Sequence, residues 1–120
     1  MSLSIWKDFR FAAAHSVGSL PDGHKCRNVH GHNYKVRVRV SAPIDIATGL
    51  CGGVDFDRIK AAWSEIEPAL DHKNINDVLG ANATAEHLSI YIFSQMKLRV
   101  PNVDRVWVWE SDSCGAEFGT

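Results

Sequence analysis

Three histidines stand where they could share one metal ion. His30 and His32 are two residues apart at the start of a predicted strand, so their imidazoles project to the same face. His15 closes the first predicted strand and reaches the same end of the sheet if the two strands pair as a hairpin. Neutral imidazoles suit zinc, and three protein ligands leave a fourth position open, as in a catalytic site.

A His-x-His pair at a strand edge can also be a plain solvated pair, and the pair alone leaves both interpretations open. Four of the six histidines, however, lie within the eighteen residues from His15 to His32, beside a single cysteine. That concentration favours a metal site. His24 and His87 are interpreted as ordinary residues of a loop and of a helix surface.

Cys26 precedes His30 by four residues, in a loop close to the predicted zinc site. Its neighbours Lys25 and Arg27 are cationic and favour the thiolate form at neutral pH. A thiolate near a Lewis acid can act as a general base, whereas an isolated cysteine is more often a small buried apolar residue.

Cys51 and Cys114 are interpreted as small buried apolar residues of that second kind. The chain has three cysteines at irregular spacing and no CxxC pair. This argues against a disulfide framework and against a cysteine-rich structural zinc site.

Two other positions carry carboxylates that could take part in chemistry. Asp71 directly precedes His72 after the first predicted helix, where it can orient the imidazole and raise its basicity. Asp and His are also common at helix ends, so the dipeptide alone leaves both interpretations open. Glu110 ends an apolar strand, where its carboxylate could accept two hydrogen bonds from an amidine-like N–H pair or simply mark the strand end.

The composition predicts one globular domain over residues 1–120, with 45% hydrophobic and 22% charged residues. A formal charge of −1 gives no general affinity for polyanions, so nucleic acid is not an expected partner. Four tryptophans and five phenylalanines favour a homo-oligomer that covers part of this surface. Because no run of about 18 apolar residues occurs, we expect a soluble cytoplasmic protein without a membrane contact.

Hydrophobic periodicity predicts an α+β chain with the element order ββααββ. The first helix is capped by Asp55 and becomes irregular near Pro68, and the second runs from about Thr84 to about Arg99. The first helix presents an apolar stripe formed by Phe56, Ile59, Trp63, Ile66 and Leu70. Strands are expected at residues 5–11, from His32 to about residue 40, at 103–110 and at 116–118.

Seven sequence blocks occur in an order that is specific when they are taken together. They are FRFAAAH at 9–15, GHKC at 23–26, HGHNY at 30–34, VDF at 54–56, LDH at 70–72, NATAE at 82–86 and VWES at 108–111. Over nearly the whole chain these blocks resemble the 6-pyruvoyltetrahydropterin synthase family, which includes the 6-carboxytetrahydropterin synthases.

The resemblance implies a tunnelling fold, with a four-stranded antiparallel sheet and two helices on one face. Members of the family assemble through their sheets into a barrel-like homo-oligomer, commonly a hexamer. In such a barrel the basic sheet face of Lys35, Arg37 and Arg39 would line a central channel.

The resemblance also implies roles for the residues already singled out, at a site formed between subunits. It makes His15, His30 and His32 the zinc ligands, Cys26, Asp71 and His72 the proton-transfer groups, Glu110 the pterin anchor, and Thr84 a neighbour of the pterin edge. Lys25 and Arg27 are our own hypothesis for contacts to a triphosphate.

Within the family, the four residues from Cys26 to His30 are similar to the spacing in the bacterial carboxy-forming enzymes. Forms with glutamate in place of the cysteine serve folate synthesis. The resemblance therefore implies a zinc-dependent lyase that converts 7,8-dihydroneopterin triphosphate to 6-carboxy-5,6,7,8-tetrahydropterin, acetaldehyde and triphosphate, in the queuosine branch. The alternatives are the sister synthase that makes 6-pyruvoyltetrahydropterin and a non-catalytic zinc-binding oligomeric module.

Overall fold

A sheet with helices on one face is the framework of residues 2–120, which are the ones that the computed structural model describes. The strands in chain order are β1 (Ser4–His15), β2 (His30–Ser41), β3 (Ile44–Asp45), β4 (Leu50–Cys51), β5 (Lys73–Asn74), β6 (Val103–Ser111) and β7 (Cys114–Gly119). The helices are α1 (Phe56–Ile66), α2 (Asn76–Leu79) and α3 (Ala85–Arg99), with 3₁₀ helices at Lys25–Arg27 and Glu67–Ala69.

The sheet has the strand order β5-β1-β2-β6-β7. Its four long strands β1, β2, β6 and β7 pair antiparallel, which confirms the predicted α+β fold and its antiparallel sheet. The pattern did not predict three small additions: the parallel strand β5 beside Ala13 and Ala14, the hairpin of β3 and β4, and the short helix α2. Strands of two residues are too short to produce a periodic signal.

Strand β1 is longer than the predicted 5–11 because it continues to His15. The extension is Ala12, Ala13 and Ala14, and alanine has a weak intrinsic preference for strands. Pairing with β2 supplies what the local preference lacks, since the two strands remain in register from Ser4 opposite Ser41 to His15 opposite His30.

The helix-facing side of the sheet forms the core. Tyr34, Val36, Val38 and Val40 are each fully buried, which confirms the alternation predicted for β2. The Tyr34 ring stacks on Phe11 with the ring centroids 5.0 Å apart. This rigid layer continues directly into the residues at the end of the sheet where His15 and His30 pair.

Both long helices begin and end near the predicted positions. The Asp55 carboxylate caps α1 by accepting a hydrogen bond from the Arg58 N–H at 2.8 Å, and Pro68 lies in a 3₁₀ turn after the helix. Phe56 is 53% exposed, so its assignment to the buried stripe was wrong, since that stripe is covered only from Ile59 onward. Within the described residues, no helix has the length and apolar character needed to cross a bilayer.

The opposite sheet face carries cations that are paired with carboxylates. Arg37 donates to both carboxylate oxygens of Asp8 at 2.7 and 3.0 Å, and Arg39 makes the same contact with Asp104 at 2.8 and 2.9 Å. The Arg37 guanidinium also lies 4.1 Å from the centroid of the Trp6 ring. The predicted basic face is therefore a network of ion pairs and cation–π contacts with little free positive charge.

Candidate metal centre and its cavity

The three predicted histidine ligands meet at one end of the sheet. His15 closes β1, His30 opens β2 directly opposite it, and His32 follows on the same face of β2. Their ring centroids are 4.5 to 5.0 Å apart, and one ligand atom from each lies within 4.8 Å of the others. The strand alternation and the antiparallel register together produce this cluster.

In two of these histidines, a hydrogen bond to a backbone carbonyl determines which imidazole nitrogen is available to bind a metal ion. Nδ1 of His15 donates to the Ala83 carbonyl at 2.6 Å, and Nδ1 of His30 donates to the Asn28 carbonyl at 2.7 Å. A carbonyl oxygen only accepts, so each Nδ1 carries the proton and each Nε2 keeps a free lone pair. Histidine metal ligands are oriented by such contacts in known metal sites.

Nε2 of His15 and Nε2 of His32 are buried and have no hydrogen-bond partner among the described residues. Buried polar atoms without partners are costly, and a metal ion would satisfy both. Burial also lowers the pKa of His32, and the neighbouring His15 and His30 lower it further against the opposing effect of Glu110. The neutral imidazole that results is the form that binds a metal ion, so the residues fit such an ion.

Glu110 stands beside this cluster because β6 alternates: Val106 and Val108 are buried on the core face, and Glu110 falls on that same face. Trp109 pairs with Gly115 and Ser111 pairs with Cys114, so Glu110 is an extra residue that has no partner on β7. Glu110 thus occupies a β-bulge, and its carboxylate faces the histidines, with Oε1 4.0 Å from Nε2 of His15 and Oε2 3.7 Å from Nε2 of His32.

A cavity of about 460 Å³ opens over the histidines. Its walls are Lys25, Cys26, His30, His32, Glu110 and Cys114. The position of Cys26 follows from a short 3₁₀ helix whose first N–H groups are capped by His24, with Cys26 N–H donating to Nδ1 of His24 at 3.1 Å. The structure thus brings five of the sequence-predicted site residues onto the wall of one cavity.

Cys114 is the lining residue that the sequence interpretation missed. It is exposed, with Sγ 3.2 Å from Oγ of Ser111, so its assignment as a buried apolar residue was wrong. On β7, Cys114 follows the same alternation as Ala116 and Phe118, whose partners Val108 and Val106 are buried, so Cys114 lies on the side of the sheet where the cavity opens. Cys51 is buried as predicted, with Sγ 3.4 Å from the Ala42 carbonyl.

Asp71 and His72 pair with each other but do not line the cavity of Cys26. Asp71 accepts a hydrogen bond from the Ala12 N–H at 3.0 Å, and its second oxygen is 2.9 Å from Nδ1 of His72. The Ala12 N–H, followed by His72, lowers the pKa of Asp71. His72 has φ of 59°, a rare conformation for a residue other than glycine, and 82% of its side chain is exposed. The pair is thus held on the open edge of β1 with its imidazole in solvent.

Thr84 and Arg27 both make structural contacts. Oγ1 of Thr84 caps α3 by accepting from the His87 N–H at 3.1 Å, directly after Ala83, whose carbonyl holds His15. Arg27 donates from one guanidinium nitrogen to the carbonyls of Gly18 and Leu20 at 2.6 and 2.8 Å. Of the two cations predicted to contact a triphosphate, only Lys25 lines the cavity.

The fold and the histidine cluster define an α+β protein with a candidate metal centre of the catalytic type. The sequence matches the family described as 6-pyruvoyl tetrahydropterin synthase over residues 4–120. The chain therefore belongs to the 6-pyruvoyl tetrahydropterin synthase family of enzymes, as the sequence blocks indicated.

Three similar proteins give this membership its detail. A provisionally named 6-carboxy-5,6,7,8-tetrahydropterin synthase of Archaeoglobus fulgidus is 36% identical over 108 residues, which is 90% of this chain and 88% of that protein. The 6-carboxy-5,6,7,8-tetrahydropterin synthase of Synechocystis is 35% identical over 120 residues, covering 95% and 91%. The structure of Caenorhabditis elegans 6-pyruvoyl tetrahydropterin synthase has the same fold, with a TM-score of 0.87, 23% identity, and coverage of 100% and 96%.

Proposed function

We propose that this chain is a zinc-dependent lyase that converts 7,8-dihydroneopterin triphosphate to 6-carboxy-5,6,7,8-tetrahydropterin, acetaldehyde and triphosphate. The observation that carries the proposal is the cavity in which Cys26 and Glu110 lie beside the three-histidine cluster. The two relatives named as 6-carboxy-5,6,7,8-tetrahydropterin synthases support this product, and we place the reaction in queuosine precursor synthesis. The proposal treats residues 1–120 as one pterin synthase domain in the cytoplasm, with neither nucleic acid nor membrane as a partner.

His15, His30 and His32 would hold the zinc ion through their Nε2 atoms. A zinc ion bound there supplies Lewis-acid catalysis, which acidifies hydroxyl groups and adjacent C–H bonds of a substrate. Sγ of Cys26 then accepts a proton from the substrate side chain and returns it at another atom. The Glu110 carboxylate accepts hydrogen bonds from the paired N–H groups of the pterin ring and so orients the ring in the cavity.

His72 carries out a second proton transfer. Its Nδ1 is 2.9 Å from an Asp71 carboxylate oxygen. This contact leaves Nε2 free to exchange a proton with substrate. We place Lys25 Nζ on the triphosphate, and Thr84 near the pterin edge. Arg27 supports the same region by holding the loop through Gly18 and Leu20.

The pair of Asp71 and His72 lies outside the Cys26 cavity of its own chain, so we propose that a neighbouring subunit supplies it. The sheet has two open edges that suit such an assembly, namely β7 and the part of β1 that β5 leaves unpaired. Unpaired strand edges favour association with further strands. A homo-oligomer, with the hexamer of the family as the preferred form, would join these edges and complete the site.

The test is incubation of the zinc-loaded protein with 7,8-dihydroneopterin triphosphate, with acetaldehyde and pterin products followed by mass spectrometry. Acetaldehyde together with a 6-carboxypterin is the expected result. A 6-pyruvoyl product without acetaldehyde would assign the sister reaction, and no turnover would favour the non-catalytic zinc module.

Matched cysteine variants locate the chemistry. Cys26→Ala is expected to retain zinc and lose turnover by at least about 100-fold, the usual size of a general acid–base contribution. Cys51→Ala, which removes a buried cysteine away from the cavity, is the control and should retain turnover. Full activity of zinc-bound Cys26→Ala would show that Cys26 is not the proton-transfer group.

A further inference from the structure

Glu110 lies beside two histidines of the candidate metal centre. Within residues 2–120, the basic side chains within 4.0 Å of its carboxylate are those of His15 and His32. In both cases the Nε2 atom is the one that approaches the carboxylate. These are the same two nitrogens that are buried without a hydrogen-bond partner. The Glu110 side chain is 24% exposed, so the carboxylate stands at the boundary between these histidines and solvent.

The separations are close to those between ligands of one zinc ion. Zinc–nitrogen and zinc–oxygen bonds of about 2.0 to 2.2 Å at a tetrahedral angle place neighbouring ligand atoms roughly 3.4 Å apart. Oε2 of Glu110 lies 3.7 Å from Nε2 of His32 and Oε1 lies 4.0 Å from Nε2 of His15. A small rotation of the side chain would bring one oxygen into the coordination sphere of an ion held by the histidines.

We infer that Glu110 is the fourth ligand of the metal ion in the substrate-free enzyme and leaves the ion when a pterin enters. The inference rests on the proposed function, because the released carboxylate is then the group that accepts the pterin N–H pair. One side chain thereby closes the open metal position before substrate arrives and orients the ring afterwards. Strand alternation places Glu110 on the same face as the buried Val108, and this position gives its carboxylate the reach to the histidines.

Metal binding tests the inference without any turnover. Zinc affinity of the full-length apoprotein is measured by competition with a chromogenic chelator, for wild type, Glu110→Gln, Glu110→Asp and Glu117→Gln. Glu117 is a matched control because it lies on β7, on the opposite sheet face, where it contacts Arg105 at 3.4 Å. We expect Glu110→Gln and Glu110→Asp to weaken zinc binding about 10- to 100-fold and Glu117→Gln to leave it unchanged.

The aspartate variant separates ligation from simple charge attraction. It keeps the negative charge but shortens the side chain by one methylene, so direct ligation is lost while a long-range effect persists. Wild-type affinity in Glu110→Asp, or in Glu110→Gln, would overturn the inference. If the wild-type protein itself bound no zinc, that result would contradict the proposed zinc-dependent function rather than the role of Glu110.

Cobalt substitution tests the exchange of partners. The visible spectrum of Co²⁺-loaded wild-type protein is recorded with and without 6-methylpterin, which has the pterin N–H pair but no side-chain hydroxyl to bind the metal. The spectrum should change on addition of this probe to wild type and stay constant for Glu110→Gln. Binding of 6-methylpterin, followed by its fluorescence, with no spectral change in the wild type would show that Glu110 does not leave the ion.

Discussion

His15 and His30 are Cα partners at the last position of the β1–β2 ladder, and their ring centroids lie 4.5 Å apart. The loop that joins β1 to β2 begins after His15 and ends before His30. A metal ion bound by both histidines would therefore link the two ends of this loop. The same ion would relieve the unpartnered Nε2 atoms of His15 and His32. A metal ion bound by these histidines would therefore couple metal binding to folding.

The first prediction is that zinc stabilises the protein through these histidines. Because the ion binds only the folded state, zinc at about 100 times its Kd should add about 2.7 kcal/mol to the free energy of unfolding. Chelation should reverse the gain, as measured by thermal unfolding with and without zinc. His30→Ala should abolish the zinc effect, while His87→Ala on the exposed surface of α3 should retain it. An equal response to zinc in both variants would contradict the assignment.

The second prediction concerns the ion pair on the other sheet face. Two hydrogen bonds from Arg37 lower the pKa of Asp8, against the opposing effect of burial, and Lys35 at 3.5 Å assists. A carboxyl with a depressed folded-state pKa contributes stability above its unfolded value of about 3.9, and this contribution is lost as the pH falls through the folded value. Asp8→Asn should therefore cost about 1 kcal/mol at pH 7, since the pair is partly exposed.

The pH dependence provides the check on that second prediction. Urea unfolding at a series of pH values should show the stability difference between wild type and Asp8→Asn shrinking below pH 4. Asp112→Asn, in the exposed turn of the β6–β7 hairpin, is the control and should differ little from wild type at any pH. A difference that persisted undiminished at pH 2 would mean that the asparagine acts through packing rather than charge.

The third prediction concerns the β-bulge at Glu110, where β6 pairs with β7. A Cβ added at Gly115 would collide with the Val108 carbonyl oxygen and lie 3.0 Å from Cα of Trp109, both on the neighbouring strand. Gly115→Ala should therefore destabilise the fold by about 2 to 3 kcal/mol, as overpacking does, and should weaken zinc binding by moving Glu110. Gly31→Ala is the control for stability, since its added Cβ would only meet the Ala13 carbonyl oxygen at 3.6 Å. Equal unfolding midpoints for the two variants would contradict the prediction.

The sequence predicts which face of β2 carries His30 and His32, because that face depends on a period of two. His30, His32 and Tyr34 alternate with polar residues, and the alternation places both imidazoles on the core side before any tertiary contact is known. The third ligand required the register as well, since His15 meets His30 only if β1 extends through three alanines. The antiparallel pairing, rather than the local preference of those residues, determines that extension.

Other features of the site depend on tertiary contacts that leave no periodic signal. The cavity brings Cys114 next to Lys25 and Cys26, which lie far from it in the chain, and no local sequence pattern reveals that proximity. The Asp71 carboxylate is held by a backbone N–H of Ala12, which is 59 residues away in the chain. No local sequence pattern indicates that contact. The sequence alone therefore leaves open whether Asp71 and His72 have a chemical or a structural role.

The last prediction uses the separation between Cys26 and the pair of Asp71 and His72. If a neighbouring subunit supplies His72 to each Cys26 cavity, a site needs Cys26 from one copy and His72 from another. Cys26→Ala and His72→Ala should each be inactive alone, yet mixed oligomers formed by co-refolding at equal ratio should recover activity. Random assembly in a symmetric oligomer makes about a quarter of the sites wild type, so about 25% of wild-type turnover is expected.

Two measurements complete this complementation test. Size-exclusion chromatography with light scattering confirms that the refolded mixture forms the same oligomer as wild type, and zinc content is measured for each variant, because loss of the metal would also abolish turnover. Recovery that requires co-refolding, and is absent when the two preformed oligomers are simply combined, assigns the restored activity to shared sites. If the mixed oligomers have wild-type size and zinc content but stay inactive, Cys26 and His72 act within one chain. A single chain would then have to move His72 from the open edge of β1 to its own cavity.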